Sequence, residues 1–239
     1  MLWNMREAHV PQHTNCGSRL RREPAIAMGI RHALDKLRYD NTSVKSHTMM
    51  EQESGEEKAM LIIRIDDESE LRTYEERHAG VVFAVVDQNR EYLREWLPWV
   101  DSNVSVEDTR EFIRRGLVQQ ANNDGFQASI WSQGRFAGGI GFHYIDRLNS
   151  KTEIGYWLDA SLQGKGLMTR ACKAMTSYAF REYGLNRVEI HCASDNTRSR
   201  AIPERLGFIQ EGILREASWL YDHFVDDVVY GMLAREWRW

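Results

Sequence analysis

Between Asp159 and Leu167 the chain reads Asp-Ala-Ser-Leu-Gln-Gly-Lys-Gly, and its two glycines, Gly164 and Gly166, stand at the entrance to an amphipathic run. Glycines between a strand end and a helix start let several backbone N–H groups converge on one point. With the positive end of the helix dipole behind them, they form an anion site. Lys165 can add charge, while a plain tight turn is the simpler reading of a lone Gly-x-Gly. The spacing matches neither a Walker loop nor the first turn of a dinucleotide fold, because a meander of strand signals precedes it. His191-Cys192 invites a thiol-enzyme reading, but adjacent strand residues point to opposite faces and cannot pair side chain to side chain. Cys192 and Cys172 read as small core residues. His9, His13 and Cys16 surround Pro11, which breaks any helix that would bring the histidines together, and no fourth ligand is near, so no metal is expected. Tyr92, Trp96 and Trp99 flank Pro98. They read either as a lid buried under helices or as one wall of a binding channel, with Trp219, Tyr221 and Phe224 as the other wall.

These residues need elements to position them. Strand signals cover Leu61–Ile65, Glu70–Tyr74, Gly125–Ser132, Arg135–Asp146, Thr152–Asp159, Asn186–Cys192, Gly207–Glu216 and Val225–Leu233. Helical periodicity covers Ala79–Asn89, Val106–Gln120, Leu167–Tyr183 and Thr197–Leu206. The order predicts an α+β fold of sandwich-like layering: one mixed, mostly antiparallel sheet with helices on both faces. Alternation puts Glu153, Gly155 and Trp157 on one face of their strand and Ile154 and Tyr156 on the other.

The 239 residues carry a net charge of −4, against a nucleic-acid binder that works through bulk positive charge. No apolar run approaches the roughly 18 residues of a spanning helix. Three cysteines without a CxxC pair argue for a reducing cytoplasm, and no secretion signal is visible at the N-terminus. Residues 1–59 differ from the rest: the first 48 hold eight basic and four acidic residues, which leaves the remainder of the chain at −8. Apart from a short helix signal over Ile26–Leu37 this leader lacks periodicity, and it runs into an acidic linker, Glu51–Lys58. It reads as a disordered tail, as sequence upstream of a start at Met49, Met50 or Met60, or as a basic arm. Residues 60–239 read as the folded domain.

Gln163-Gly164-Lys165-Gly166-Leu167-Met168, following EIGYWLD, resembles the pyrophosphate loop of the GNAT acyltransferases. Asn196-Thr197-Arg198-Ser199 and the Gly207-Phe208 pair resemble that family's N-x-x-S and GF elements. With Asn89–Asp101 and the ending Asp226–Trp237, the chain from about Leu61 is most similar to the RimJ/RimL-like branch, which acetylates the N-termini of ribosomal proteins. Met168 stands where the family loop prefers Gly or Ala, which suits the diphosphate only if the side chain turns away.

The resemblance implies a GNAT fold in which Thr152–Asp159 splays from Asn186–Cys192. It implies acetyl-CoA as co-substrate, with backbone contacts from Trp157 and Leu158, the diphosphate on Gln163–Met168, and Asn196 at the pantetheine amides. It also implies Ser199 as proton donor to the departing thiolate, helix capping being the other reading of that serine. Glu153 is the first choice for the base, with a half-exposed salt-bridging residue as the alternative. Some relatives carry a glutamate near the position of Ser218, where serine cannot be a base, and Asp222, His223, Asp226 and Asp227 lie close by. The expected acceptor is a protein α-amino group, and the acidity of the domain suits a cationic one. A small amine is the alternative, as is an acyl-CoA-binding protein without turnover. The last strand and the aromatic loops could form a homodimer seam.

Overall fold

The computed structural model describes residues 61–239. The leader, its helix signal and His9, His13 and Cys16 lie outside the described residues. Eight strands form one sheet in the order β1-β2-β3-β4-β5-β6-β8-β7. They are β1 (Ile62–Arg64), β2 (Ser69–Thr73), β3 (Phe126–Ser132), β4 (Arg135–Asp146), β5 (Lys151–Leu158), β6 (Arg187–Ala193), β7 (Ile209–Leu220) and β8 (His223–Leu233). Every neighbouring pair is antiparallel except β5 and β6. Among the described residues five α-helices accompany them: α1 (Ala79–Gln88), α2 (Arg90–Arg94), α3 (Val106–Ala121), α4 (Leu167–Arg181) and α5 (Thr197–Arg205).

Alternation along the strands sorts the helices into two layers. Phe126, paired with Phe142, stacks on Tyr178 of α4 at 5.7 Å, and Tyr156 hydrogen-bonds into α5. The residues one step out of phase, Gln127 and Trp157, meet the other layer: Gln127 lies against Gly116 of α3, and Trp157 lies 6.1 Å from Trp99. The core is therefore two apolar layers with the sheet between them. Leu71, Ile113, Ile130, Ile140, Ile154, Met175 and Ile190 are among its fully buried members.

The expected mixed sheet with helices on both faces is what forms, and most elements fall within two residues of their predicted ends. Two segments differ. The aromatic stretch after α1 is not a loop. It folds as α2 and a 3-10 turn, Pro98–Ser102, because Arg90 donates to the carbonyls of Val100 (2.6 Å) and Asn103 (2.7 Å) and ties the segment back on itself. The final hairpin is longer than its apolar pattern suggests. β7 runs on to Leu220 and turns through Tyr221-Asp222 alone, with Tyr221 at φ +60°. Backbone pairing extends a hairpin past the residues that bury a side chain, so hydrophobicity underestimates its length.

Candidate active site

Parallel strands require hydrogen bonds in both directions, and β5 and β6 have them only at their first residues: Lys151 with Arg187, Thr152 with Val188, and Glu153 with Glu189. Beyond Glu153 the two strands diverge, β6 remaining paired to β8 and β5 to β4. The edge of β5 from Tyr156 to Leu158 thus borders a cleft of about 900 Å³, which is bounded by α2, the loop before α4, and α5.

At one end lies the loop read from the sequence. Asp159 accepts the Ser161 N–H (2.9 Å), and Asn89 accepts the Ala160 N–H (3.0 Å) from the end of α1. Gln163 donates to the Tyr92 hydroxyl, so α2 braces the loop. Gly164 and Gly166 both take φ +72°, a left-handed conformation that side chains resist. Gly166 caps α4 without a side-chain acceptor, so the first N–H groups of that helix face the cleft end unsatisfied by side chains. Met168 is buried in the core cluster as well as bordering the cleft, so its bulk is accommodated inward. Lys165 does not line the cleft; its Nζ donates to the Ser161 carbonyl at 3.2 Å. Arg170 braces the loop instead, donating to the Lys165 carbonyl (3.0 Å) and pairing with Asp66 (2.8 Å).

On the wall formed by α5, the Asn196 side-chain oxygen accepts the Ser199 N–H at 3.0 Å, so Asn196 is the capping residue and Ser199 is the residue it caps. The Ser199 hydroxyl is 3.2 Å from the Tyr156 hydroxyl and 3.2 Å from the Cys192 sulfur, and Tyr156 in turn donates to the Ser199 carbonyl (3.1 Å). Burial pushes the Tyr156 phenol far above its ordinary value and the Cys192 thiol up to about 11, so both stay protonated at neutral pH. Sequence reasoning placed Cys192 in the core, which holds, but gave no hint that it touches Ser199. Tyr156 was legible only as the alternation partner of Trp157.

Glu153 stands on the opposite face, at the base of the splay, and does not border the cleft. Its Oε1 is 3.2 Å from His143 Nδ1 and its Oε2 is 4.0 Å from His191 Nδ1. Burial alone would raise its pKa; the His143 hydrogen bond and the charges of both histidines outweigh that and hold the carboxyl below its ordinary value. His191 also lies 3.5 Å from Glu189. Burial opposes its charge, but Glu189, Glu153 and Asp227 together pull its pKa upward. His143 escaped the sequence reading, although Gly155 was a usable signal: a Cβ there would sit 2.0 Å from the His143 ring.

Glu189 anchors this network. The His191 hydrogen bond, working against the cost of burial and aided by Arg187 and Lys151, brings its pKa down to about 2. A carboxylate depressed in this way adds stability above its unfolded value of 4.5 that is lost as pH falls toward 2. Glu189→Gln is therefore expected to be less stable than the parent at neutral pH by about 1–3 kcal/mol. The gap should narrow steadily in thermal melts below about pH 4.5. A gap independent of pH would remove charge from the explanation.

The aromatic residues divide. Tyr92 and Trp96 border the cleft. Trp99 packs on Trp157, and Tyr221 donates to the Leu97 carbonyl (3.2 Å) while the Arg94 guanidinium lies 4.2 Å over its ring. The tip of the final hairpin therefore docks on the segment after α2, joining the two predicted walls. Trp219 is not part of that junction. Paired with Phe224 and set edge-to-face on it at 4.8 Å, it is 48% exposed and one residue out of phase with the inward-facing Ser218.

A strand pair that opens after three residues, a glycine loop feeding a helix N-terminus, and a buried hydroxyl on the far wall thus meet around one cleft. Residues 69–209 match the family model described as acetyltransferase (GNAT) domain, and the chain belongs to that family. Within it, the chain is 36% identical over 180 residues to a putative ribosomal N-acetyltransferase, YdaF, of Bacillus subtilis, covering 75% of this chain and 98% of that one. It is 31% identical over 171 residues to the ribosomal-protein-serine acetyltransferase of Escherichia coli, covering 72% and 96%. Among solved structures, RimL, a ribosomal L7/L12 alpha-N-protein acetyltransferase in complex with coenzyme A, superimposes with a TM-score of 0.71 at 29% identity, covering 72% and 98%. The microcin C7 self-immunity acetyltransferase MccE, solved in complex with acetyl-CoA and AMP, superimposes with a TM-score of 0.68 at 28% identity, covering 71% of this chain and 94% of that one. Among the described residues no helix is long and apolar enough to cross a membrane.

Proposed function

We propose that this enzyme transfers the acetyl group of acetyl-CoA to the α-amino group of a ribosomal protein in the cytoplasm. The observation that carries the donor site is the end of β5–β6 pairing at Glu153 and Glu189, which leaves a strand edge for an extended ligand. The acceptor class rests on the two relatives named for ribosomal-protein acetylation, which the chain matches over nearly their whole length.

Acetyl-CoA supplies an activated thioester. The backbone of Trp157 and Leu158 offers ladder hydrogen bonds to its pantetheine arm, and Asn196, whose oxygen is committed to its cap, has its amide N–H groups left to donate. The N–H groups of Gln163–Met168 take the diphosphate. The acceptor ammonium gives up a proton toward the Glu153–His143–His191 cluster, the neutral amine attacks the thioester carbon, and the carbon–sulfur bond breaks. The Ser199 hydroxyl, held between two groups that stay protonated, gives its proton to the thiolate and regains one from the attacking nitrogen, which sheds its second proton as it becomes the amide. Large rigid rings at Tyr92 and Trp96 flank the entry to this channel.

The test is acetyl transfer from labelled acetyl-CoA to peptides copying ribosomal-protein N-termini, run beside polyamines, amino acids and aminoglycosides. Transfer to peptides with a free N-terminus, and not to their N-blocked twins, supports the assignment. Transfer to the small amines alone would replace it with a small-molecule acetyltransferase, and donor binding without any transfer would leave a binding protein.

A further inference from the structure

The edge strand β7 carries an irregularity whose effect falls on one carboxylate. Between Leu214 and Ser218 it advances four residues while β8 advances two, from Asp227 to Val225. Glu216, inside this bulge, sits at φ +51° and donates its N–H to the Asp226 side chain (2.8 Å). Bulges re-aim side chains, and here Ser218 is turned inward, 4% exposed, to donate its hydroxyl to Asp227 Oδ2. Asp227 is itself only 7% exposed, and its other oxygen, Oδ1, is buried with no hydrogen-bond partner among the described residues.

A buried carboxylate oxygen without a donor costs free energy that a stable fold ordinarily avoids. The cations nearby in the sheet are committed elsewhere: Lys151 and Arg187 pair with Glu189, and Arg187 also with Glu211. His191 of β6 shares the face of Asp227 with Glu189 and Glu153 and feels the charge of all three, but its ring nitrogens lie against Glu189 (3.5 Å) and Glu153 (4.0 Å). The location is as informative as the missing partner. Asp227 is directly opposite Ala193, the last residue of β6, on the diverged side of the splay. By alternation it shares a face with His191, Glu189, Glu153 and Trp157, the face opposite Ser199 and α5.

Accepting the acetyl-transfer reading, we propose that Asp227 is the anchor for the acceptor's ammonium group. The serine fixes Oδ2 and leaves Oδ1 to accept a single charged N–H. A guanidinium would want both oxygens of a carboxylate, and one of these is taken, so the geometry selects a primary ammonium over an arginine side chain. Ser218 is the positioning residue that sets the carboxylate's orientation.

The experiment compares the full-length parent with Asp227→Asn, Asp227→Glu and Ser218→Ala, using saturating acetyl-CoA and two acceptors, a peptide with a free N-terminal serine and spermidine. Asp227→Asn keeps the shape and the bond to Ser218 but loses the charge. Its acceptor KM is expected to rise at least tenfold, with acetyl-CoA affinity by calorimetry within twofold of the parent and a melting temperature equal or higher. Ser218→Ala should show a smaller rise, and Asp227→Glu should recover part of the loss. A melting temperature that falls together with acetyl-CoA affinity would mark a structural role and overturn the proposal, as would an unchanged acceptor KM in Asp227→Asn. If spermidine is the acceptor used and Asp227→Asn impairs it, the anchor stands while the protein-acceptor assignment falls. If the peptide is acetylated equally by parent and variant, the assignment stands and the anchor falls. A parent that acetylates neither acceptor removes both.

Discussion

Gly166→Asp is expected to weaken acetyl-CoA binding at least 100-fold in a calorimetric titration. Two causes add. Gly166 adopts φ 72°, ψ 4°, which costs an L-residue about 1–2 kcal/mol, and a Cβ there comes to 3.1 Å from the Arg170 guanidinium. The new carboxylate also lies at the proposed diphosphate site, where converging N–H groups would meet it, so like charges oppose each other in a partly enclosed site. Arg170 cannot freely neutralise it, being already bound to Asp66 and the Lys165 carbonyl. Gly166→Ala separates the causes: it carries the strain without the charge and should cost about tenfold, the equivalent of the backbone term alone. Undiminished affinity in Gly166→Asp, with the melting curve intact, would take the diphosphate away from this loop.

Ser199→Ala should lower kcat by about 100-fold, the usual contribution of a positioned general acid, while leaving acetyl-CoA affinity nearly unchanged. Ser199 is 9% exposed, and its hydroxyl lies between the Tyr156 phenol and the Cys192 thiol. Because burial keeps both neighbours protonated, neither withdraws the proton as a base would, and the serine remains a donor. Its backbone N–H bond to Asn196 survives the substitution, so the cap of α5 is retained and a loss of rate cannot be laid to a frayed helix. Single-turnover measurements that show chemistry at the parental rate would return Ser199 to a structural part.

The two ends of the cleft were readable in the sequence for different reasons. Gly164 and Gly166 announce themselves because a backbone at positive φ leaves only one comfortable residue type, and the β-branched alternation of β5 and β6 fixes which side chains share a face. Asn196 and Ser199 were found through the resemblance of Asn196–Ser199 to the family's N-x-x-S element; the structure makes Asn196 the cap and Ser199 the residue it caps. What could not be read was everything created by register. His143 reaches Glu153 only because Gly141 is paired with Gly155, and Ser218 reaches Asp227 only because of a bulge that no residue type marks. The same holds for Tyr221, whose contact with Leu97 joins positions 124 residues apart. Trp219 illustrates the converse: its size suggested a wall, but one step of phase along β7 sent it to the other side.

The brief pairing of β5 with β6 also bears on durability. With three residue pairs holding them, the sheet is two ribbons, β1 through β5 and β6 with β8 and β7, hinged at Glu153. In the proposed binding mode, a donor along the open edge stitches the ribbons together as a ninth strand would. On that reading donor binding and release change how firmly the two ribbons are joined, so the donor-free enzyme is expected to melt at a lower temperature and be cut faster by proteases than the donor-bound one.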